Sequence, residues 1–263
     1  MDARFTPAHR GGTGPPLVLL HGFTGSWRIW ELVLPALERR HEVLAPTLPG
    51  HAGGPPLQGD LSHDTVPDAI ERAMDAAGFQ TAHLVGNSLG GYVALQLAAR
   101  GRARSVVALA PAGGWAPGDT SYEGMLREYG AVHELAKAAA PHAEALASTP
   151  QGRREATEWI AENGEDIPPA IVADIIRATA GCDGAPAMIE YAMRNRWTLD
   201  TERVDCPLRI VWGSEDKLLP WPTAAARYRR ELHADWVELD GVGHCPQVDV
   251  PLETAQLILG FTS

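Results

Sequence analysis

Ala82-His83-Leu84-Val85-Gly86-Asn87-Ser88-Leu89-Gly90-Gly91 reads as a strand, a sharp turn and the start of a helix. The first four residues form a short apolar run of strand length. Leu89 to Arg100 carry Val93, Leu95, Leu97 and Ala98 and stop at Gly101, the pattern of a helix. Between them lies G-x-S-x-G. A serine on so tight a turn needs small neighbours, and Gly86, Gly90 and Gly91 supply them. Its hydroxyl then projects above the C-terminal edge of a sheet, at the positive end of the following helix. The bare pattern also arises by chance as a Gly/Ser turn. The flanking strand and helix are what give Ser88 the setting of a nucleophile, with the Leu89 N–H facing a developing oxyanion.

The same rhythm extends in both directions. Leu17–Leu20, Glu42–Ala45, Ser105–Ala110, Leu208–Trp212 and Asp235–Leu239 are short runs, each followed by a turn residue or a loop. Several are continuously apolar, as expected where helices cover both faces of a parallel sheet. Asp64 to Ala77 places Val66, Ala69, Ile70, Ala73, Met74 and Ala77 on one helical stripe, stopped by Gly78. Pro251 to Leu259 forms a last amphipathic helix with proline at its start. Strand alternating with helix predicts an α/β fold with a mostly parallel sheet.

That rhythm breaks between Trp115 and Trp197. Helical pieces fall near Tyr122–Ala140, Arg153–Glu162, Ala170–Ala180 and Pro186–Arg194, with turns at Pro141–Pro150 and Asn163–Pro169. We read residues 1–114 and 198–263 as one core and 115–197 as a helical insertion after the sixth strand.

Serine needs a base. The chain has ten histidines, so position must decide. His244 lies in Gly241-Val242-Gly243-His244, a flexible loop directly after the last strand, and such a loop reaches the edge where Ser88 projects. His83 lies within a strand, and His51, His63, His133 and His142 read as surface or supporting residues. The imidazole needs a carboxylate to hold its tautomer. Asp216 follows Leu208–Trp212 through Gly213-Ser214-Glu215 at the same sheet edge. Glu215 has the same chemistry, and the Gly-x-x-Asp spacing favours Asp216. Asp205 precedes its strand, at the opposite edge. His21-Gly22-Phe23-Thr24-Gly25 follows the first apolar run, and the turn at Gly22 brings the Phe23 N–H toward the oxyanion, with His21 holding the loop.

Composition narrows the partners. The 263 residues are 45% hydrophobic and 21% charged, ordinary for a globular chain with a substantial core. A net charge of -11 repels phosphate backbones and anionic lipid. Neither nucleic acid nor membrane insertion is expected, and a small-molecule substrate with an apolar part is. The three cysteines, Cys182, Cys206 and Cys245, are too scattered for a disulfide framework or a zinc cluster. No metal or other cofactor is expected, and an N-terminus without a signal-like apolar run points to the cytoplasm. Of eight tryptophans, Trp115 and Trp197 flank the insertion and are candidates for the substrate pocket.

HGFTGS at 21–26, LPGH at 48–51, GNSLGG at 86–91, GSED at 213–216 and GVGH at 241–244 together resemble the α/β-hydrolase superfamily over nearly the whole chain. The resemblance implies an eight-stranded, mostly parallel sheet flanked by helices, with 115–197 as a lid. It implies Ser88 as nucleophile, Asp216 as acid and His244 as base, with Phe23 and Leu89 N–H as the oxyanion hole. The activity it implies is hydrolysis of a small ester. Haloalkane dehalogenases and epoxide hydrolases of this fold use an aspartate nucleophile, and Ser88 argues against both. The elbow is also similar to that of meta-cleavage product hydrolases, which cut carbon–carbon bonds in dienoates. Those usually carry tryptophan after the histidine, where this chain has Cys245. Arg194 and Arg196 offer a carboxylate site on that reading and solvated surface charges on the other. A ligand receptor with little turnover is a further alternative on the same fold.

Overall fold

The computed structural model describes residues 5–195 and 197–262. Seven strands form one sheet: β1 (Ala8–Gly12), β2 (Pro16–Leu20), β3 (Glu42–Pro46), β4 (Ala82–Asn87), β5 (Ala103–Leu109), β6 (Leu208–Gly213) and β7 (Asp235–Leu239). Their order is β1-β3-β2-β4-β5-β6-β7. Every neighbouring pair is parallel except β1 with β3.

The continuous apolar runs have a direct cause. In β2, Val18 and Leu20 enter one core while Leu17 and Leu19 enter the other, and all four are fully buried. Successive side chains point to opposite faces, so a sheet covered on both sides needs apolar residues at every position. Helices α2 (Thr65–Ala76) and α3 (Leu89–Ala99) cover the first face through Ile70, Met74, Val93 and Leu97. Helices α1 (Leu34–Leu37) and α11 (Pro251–Leu259) cover the second through Leu34, Leu37, Ala255 and Ile258. Helices α9 (Ala226–Glu231) and α10 (Pro246–Asp249) flank the last strand.

Between β5 and β6 the described chain holds no strand. It folds into α4 (Tyr122–Ala139), α5 (Ala143–Ala147), α6 (Pro150–Thr157), α7 (Pro169–Ala180) and α8 (Ala185–Arg194). Helix α7 packs against α4 and α5, and α8 against α4. Ala143, Ala147, Ile167, Ile171, Val172 and Ile176 form a small core of their own, joined by Cys245 from the loop beyond β7 and Val248 of α10.

Three expectations need correction. The described sheet has seven strands rather than eight, and the insertion follows the fifth strand rather than the sixth. Strand β1 escaped the sequence reading because it is an antiparallel edge strand of sequence AHRGG, half solvated and without an apolar run. The expected turn at Pro141–Pro150 contains α5, whose short alanine-rich sequence carries too little periodicity to announce a helix.

Candidate active site

Strand β4 delivers Ser88 into a backbone that few residues adopt, with φ 56° and ψ −118°. A non-glycine residue at positive φ stores strain, and such strain gathers at functional turns. The surrounding backbone holds it there. A Cβ on Gly86 would lie 2.2 Å from the Gly90 carbonyl oxygen, and one on Gly90 would lie 2.1 Å from that of Leu20. The Ser88 N–H donates to Leu109 O at 2.9 Å, tying the turn to β5. Ser88 is buried beneath the insertion.

His244 arrives from the loop after β7. Its Nδ1 lies 2.7 Å from Asp216 Oδ2. Asp216 in turn accepts at Oδ1 from the N–H groups of Leu218 and Leu219, at 3.0 and 2.8 Å. Both side chains are buried, while Glu215 points to solvent. The carboxylate orients the ring with Nδ1–H as donor, which leaves Nε2 as the basic atom. Nε2 is buried with no hydrogen-bond partner, and His244 and Ser88 line the same cavity.

Gly22 presses against the serine, for a Cβ there would sit 3.2 Å from Ser88 Cβ. Among the described residues nothing accepts a hydrogen bond from the Phe23 N–H or the Leu89 N–H. His21 supports this loop at both ring nitrogens. Its Nδ1 lies 2.8 Å from Gly22 O, and its Nε2 accepts from the Leu48 N–H at 2.9 Å. Burial, with His51 beside it, drives its pKa well below the ordinary range, so the ring is neutral. Burial also lowers His51 to about 4.

Asn87 is a residue the sequence reading passed over. Its Nδ2 donates to His244 O at 2.9 Å and Leu109 O at 3.2 Å. Its Oδ1 accepts from Cys245 Sγ and Gln247 Nε2, each at 3.1 Å. One amide thus joins the elbow to the histidine loop. Burial raises the Cys245 thiol far above its usual pKa, so it serves here as a neutral donor.

Two chambers open from Ser88 beneath the insertion. They share Phe23, Ser88, Met125 and Tyr129, and each holds roughly the same empty space, about 960 and 980 Å³ with their mouths included. The first runs between α3, α4 and α8 past Leu89, Val66, Leu126, Ile189 and Trp197, and no described Asp, Glu, Lys or Arg lines it. The second contains His244 and Cys245, and carries Arg28, Glu128 and Asp174 on its walls. These three charged residues were not foreseen.

Of the two candidate tryptophans, Trp197 lines the first chamber. Trp115 does not; it is buried behind Trp197 and Tyr122, with ring centroids 5.9 and 5.1 Å away. It sits where the chain leaves the sheet, and its bulk completes the core instead. Arg194 is exposed and pairs with Glu190 one turn earlier on α8. Arg196 lies outside the described residues. No described helix is long and apolar enough to cross a membrane.

Residues 17–257 match a family described as the alpha/beta hydrolase family. The chain is 32% identical over 204 residues to the epoxide hydrolase EphH of Mycobacterium tuberculosis, covering 76% of this chain and 95% of that one. It is 25% identical over 272 residues to the human monoacylglycerol lipase ABHD6, covering 99% of this chain and 79% of the lipase. In fold it is similar to the meta-cleavage product hydrolase of Pseudomonas fluorescens IP01, with a TM-score of 0.71 at 20% identity, over 97% of this chain and 92% of the other.

Proposed function

The chain belongs to the α/β-hydrolase family, and on that premise we propose that it is a serine hydrolase cleaving a small carboxylic ester through Ser88, His244 and Asp216. The observation that carries the reading is the shared cavity. A serine held at φ 56° lines one space with a histidine whose far nitrogen is anchored 2.7 Å from a buried carboxylate.

The chemistry proceeds in two steps. His244 Nε2 takes the proton from Ser88 Oγ as Oγ bonds to the ester carbonyl carbon. The carbonyl oxygen becomes an oxyanion facing the unpartnered N–H groups of Phe23 and Leu89; one such donor typically contributes about 3 kcal/mol to the transition state. The intermediate collapses, the carbon–alkoxide bond breaks, and His244 returns its proton to the departing alcohol. Water, deprotonated by the same nitrogen, then attacks the acyl carbon; the carbon–Oγ bond breaks, His244 returns the proton to Ser88 Oγ, and the acid leaves. Asp216 stabilises the imidazolium throughout. Residues 115–197 act as the lid: Met125, Tyr129 and Trp159 roof the site and keep the ester away from bulk water.

Epoxide opening, suggested by the name of one relative, would require a carboxylate nucleophile on this fold's pattern, and this chain carries a hydroxyl. Carbon–carbon cleavage of a dienoate rests on the likeness of the GNSLGG elbow. It lacks a described cation in either chamber that is free to hold the substrate's carboxylate.

Hydrolysis of p-nitrophenyl esters from acetate to decanoate, by wild type and Ser88→Ala together, tests the proposal. We expect wild-type turnover, with a loss of at least ~10³-fold in the variant at nearly unchanged thermal stability. A folded variant retaining more than about a hundredth of the rate would exclude Ser88 as the nucleophile.

A further inference from the structure

The two chambers differ in charge, and the difference reaches past the bond cleaved to the substrate itself. Resting on the serine-esterase reading, their roles follow from proton transfer. The leaving alcohol takes its proton from His244, so it departs on the side that His244 lines, the second chamber. The acyl part then occupies the first, where no described charged side chain meets it.

The wall of the second chamber is built around Arg28, which precedes α1, and Asp174 of α7. Arg28 Nε donates to Asp174 Oδ2 at 2.6 Å, and its Nη2 lies 2.8 Å from Glu31 Oε1. The guanidinium also rests 5.3 Å from the Trp27 ring centroid. One cation therefore faces two carboxylates behind the wall, and Glu128 adds a third at the chamber's edge. Asp174 is 7% exposed. Its Oδ1 takes no hydrogen bond from a described residue. A buried carboxylate with one oxygen committed and one uncommitted accepts hydrogen bonds strongly, and an anion entering this space meets no uncompensated described cation.

We propose that the second chamber is an alcohol subsite that selects esters whose alcohol carries a hydroxyl, received by Asp174 Oδ1, and rejects esters whose alcohol carries a carboxylate. A hydrogen bond to a charged acceptor is worth about tenfold or somewhat more. Like charges forced together across a dry interface cost at least ~100-fold.

Three esters of one fatty acid, chosen at the chain-length optimum of the p-nitrophenyl series, test this: the propyl ester, the 2-hydroxyethyl ester and the carboxymethyl ester. They differ in the alcohol's terminal group. Each kcat/KM is divided by the rate of alkaline hydrolysis to remove intrinsic reactivity. The expected order is hydroxyethyl about tenfold above propyl, and carboxymethyl at least ~100-fold below it. In Asp174→Asn the carboxymethyl ester should gain at least ~10-fold relative to propyl, and the hydroxyethyl advantage should shrink. If that variant fails to fold, the wild-type ratios stand as the test by themselves. Equal normalised rates on propyl and carboxymethyl esters in wild type would overturn the subsite while leaving the esterase reading intact. Unchanged ratios in a folded Asp174→Asn would remove Asp174 from it. No turnover of any ester, p-nitrophenyl esters included, would bring down the esterase reading and the subsite with it.

Discussion

The turn at residues 86–91 and the helical insertion at 115–197 face each other across the same cavity, and they hold their shapes by different means. In the turn, backbone packs on backbone: Gly86 against Gly90, Gly90 against Leu20 and His21, with no room for one added carbon. In α4 of the insertion the backbone is free of such contacts, for Gly124 and Gly130 have nothing within 4 Å of where a Cβ would stand; the close approach returns only further along, where a Cβ on Gly152 would lie 2.0 Å from Leu146 O. Leu135 is 70% exposed and Trp159 41%. On the proposed reading, Ser88 as a nucleophile must be placed to a fraction of an ångström, so its support is rigid, whereas α4 as part of a roof needs only to exclude water and offer surface, so its packing is tolerant.

The contrast is easiest to break with methyl groups. Gly90→Ala puts Cβ 2.1 Å from Leu20 O, a clash with backbone that cannot swing aside. We expect a loss of ~4 kcal/mol or more, seen as insoluble expression or a Tm lower by about 10 °C. A soluble variant with wild-type Tm would show that the turn is not backbone-locked.

Acid probes the loop that Gly22 and His21 press against the turn. His51, lowered to about 4, stays neutral in the fold, whereas in the unfolded chain it titrates near 6.5. Below pH 6.5 the unfolded state binds the extra proton, so this contribution to stability is complete above 6.5 and is lost as pH falls toward 4. His21, also lowered, acts in the same direction. Urea denaturation between pH 7 and 5 should lose up to ~1.4 kcal/mol per pH unit for each such histidine. The slope should flatten by about one proton in His51→Asn; an unchanged slope would assign the effect elsewhere.

The smallest effect belongs to the insertion. Gly130→Ala, inside α4 with open space around it, should stabilise by ~0.5–1 kcal/mol because alanine loses less backbone freedom on folding. Thermal denaturation would show a rise of about 2 °C. A fall instead would mean that the roof is packed as closely as the turn.

Much of the molecule was legible in its sequence. The runs at 17–20, 82–85, 105–110 and 208–212 became strands because a sheet covered on both faces needs that composition. The 64–77 stripe became α2, bounded by Gly78 at φ 82°. The pairing of Asp216 with His244 was anticipated from loops that leave one sheet edge. Strand β1 was missed because edge strands need no apolar run.

What the sequence determined by itself was local. Backbone dihedrals and the alternation of side chains are set by neighbours along the chain, so the elbow, the strand rhythm and the helix stops could be read in place. The rest was decided only when distant segments docked. Arg28 meets Asp174 from 146 positions away, and Asn87 reaches the His244 carbonyl across 157. Trp197 lines a chamber while Trp115, of the same kind and at the other end of the insertion, fills the core behind it. Pairings of that sort depend on how α4 and α7 settle over the sheet, and side-chain contacts across a docking surface leave no period in the sequence. The charge of the second chamber was therefore decided by the tertiary structure alone.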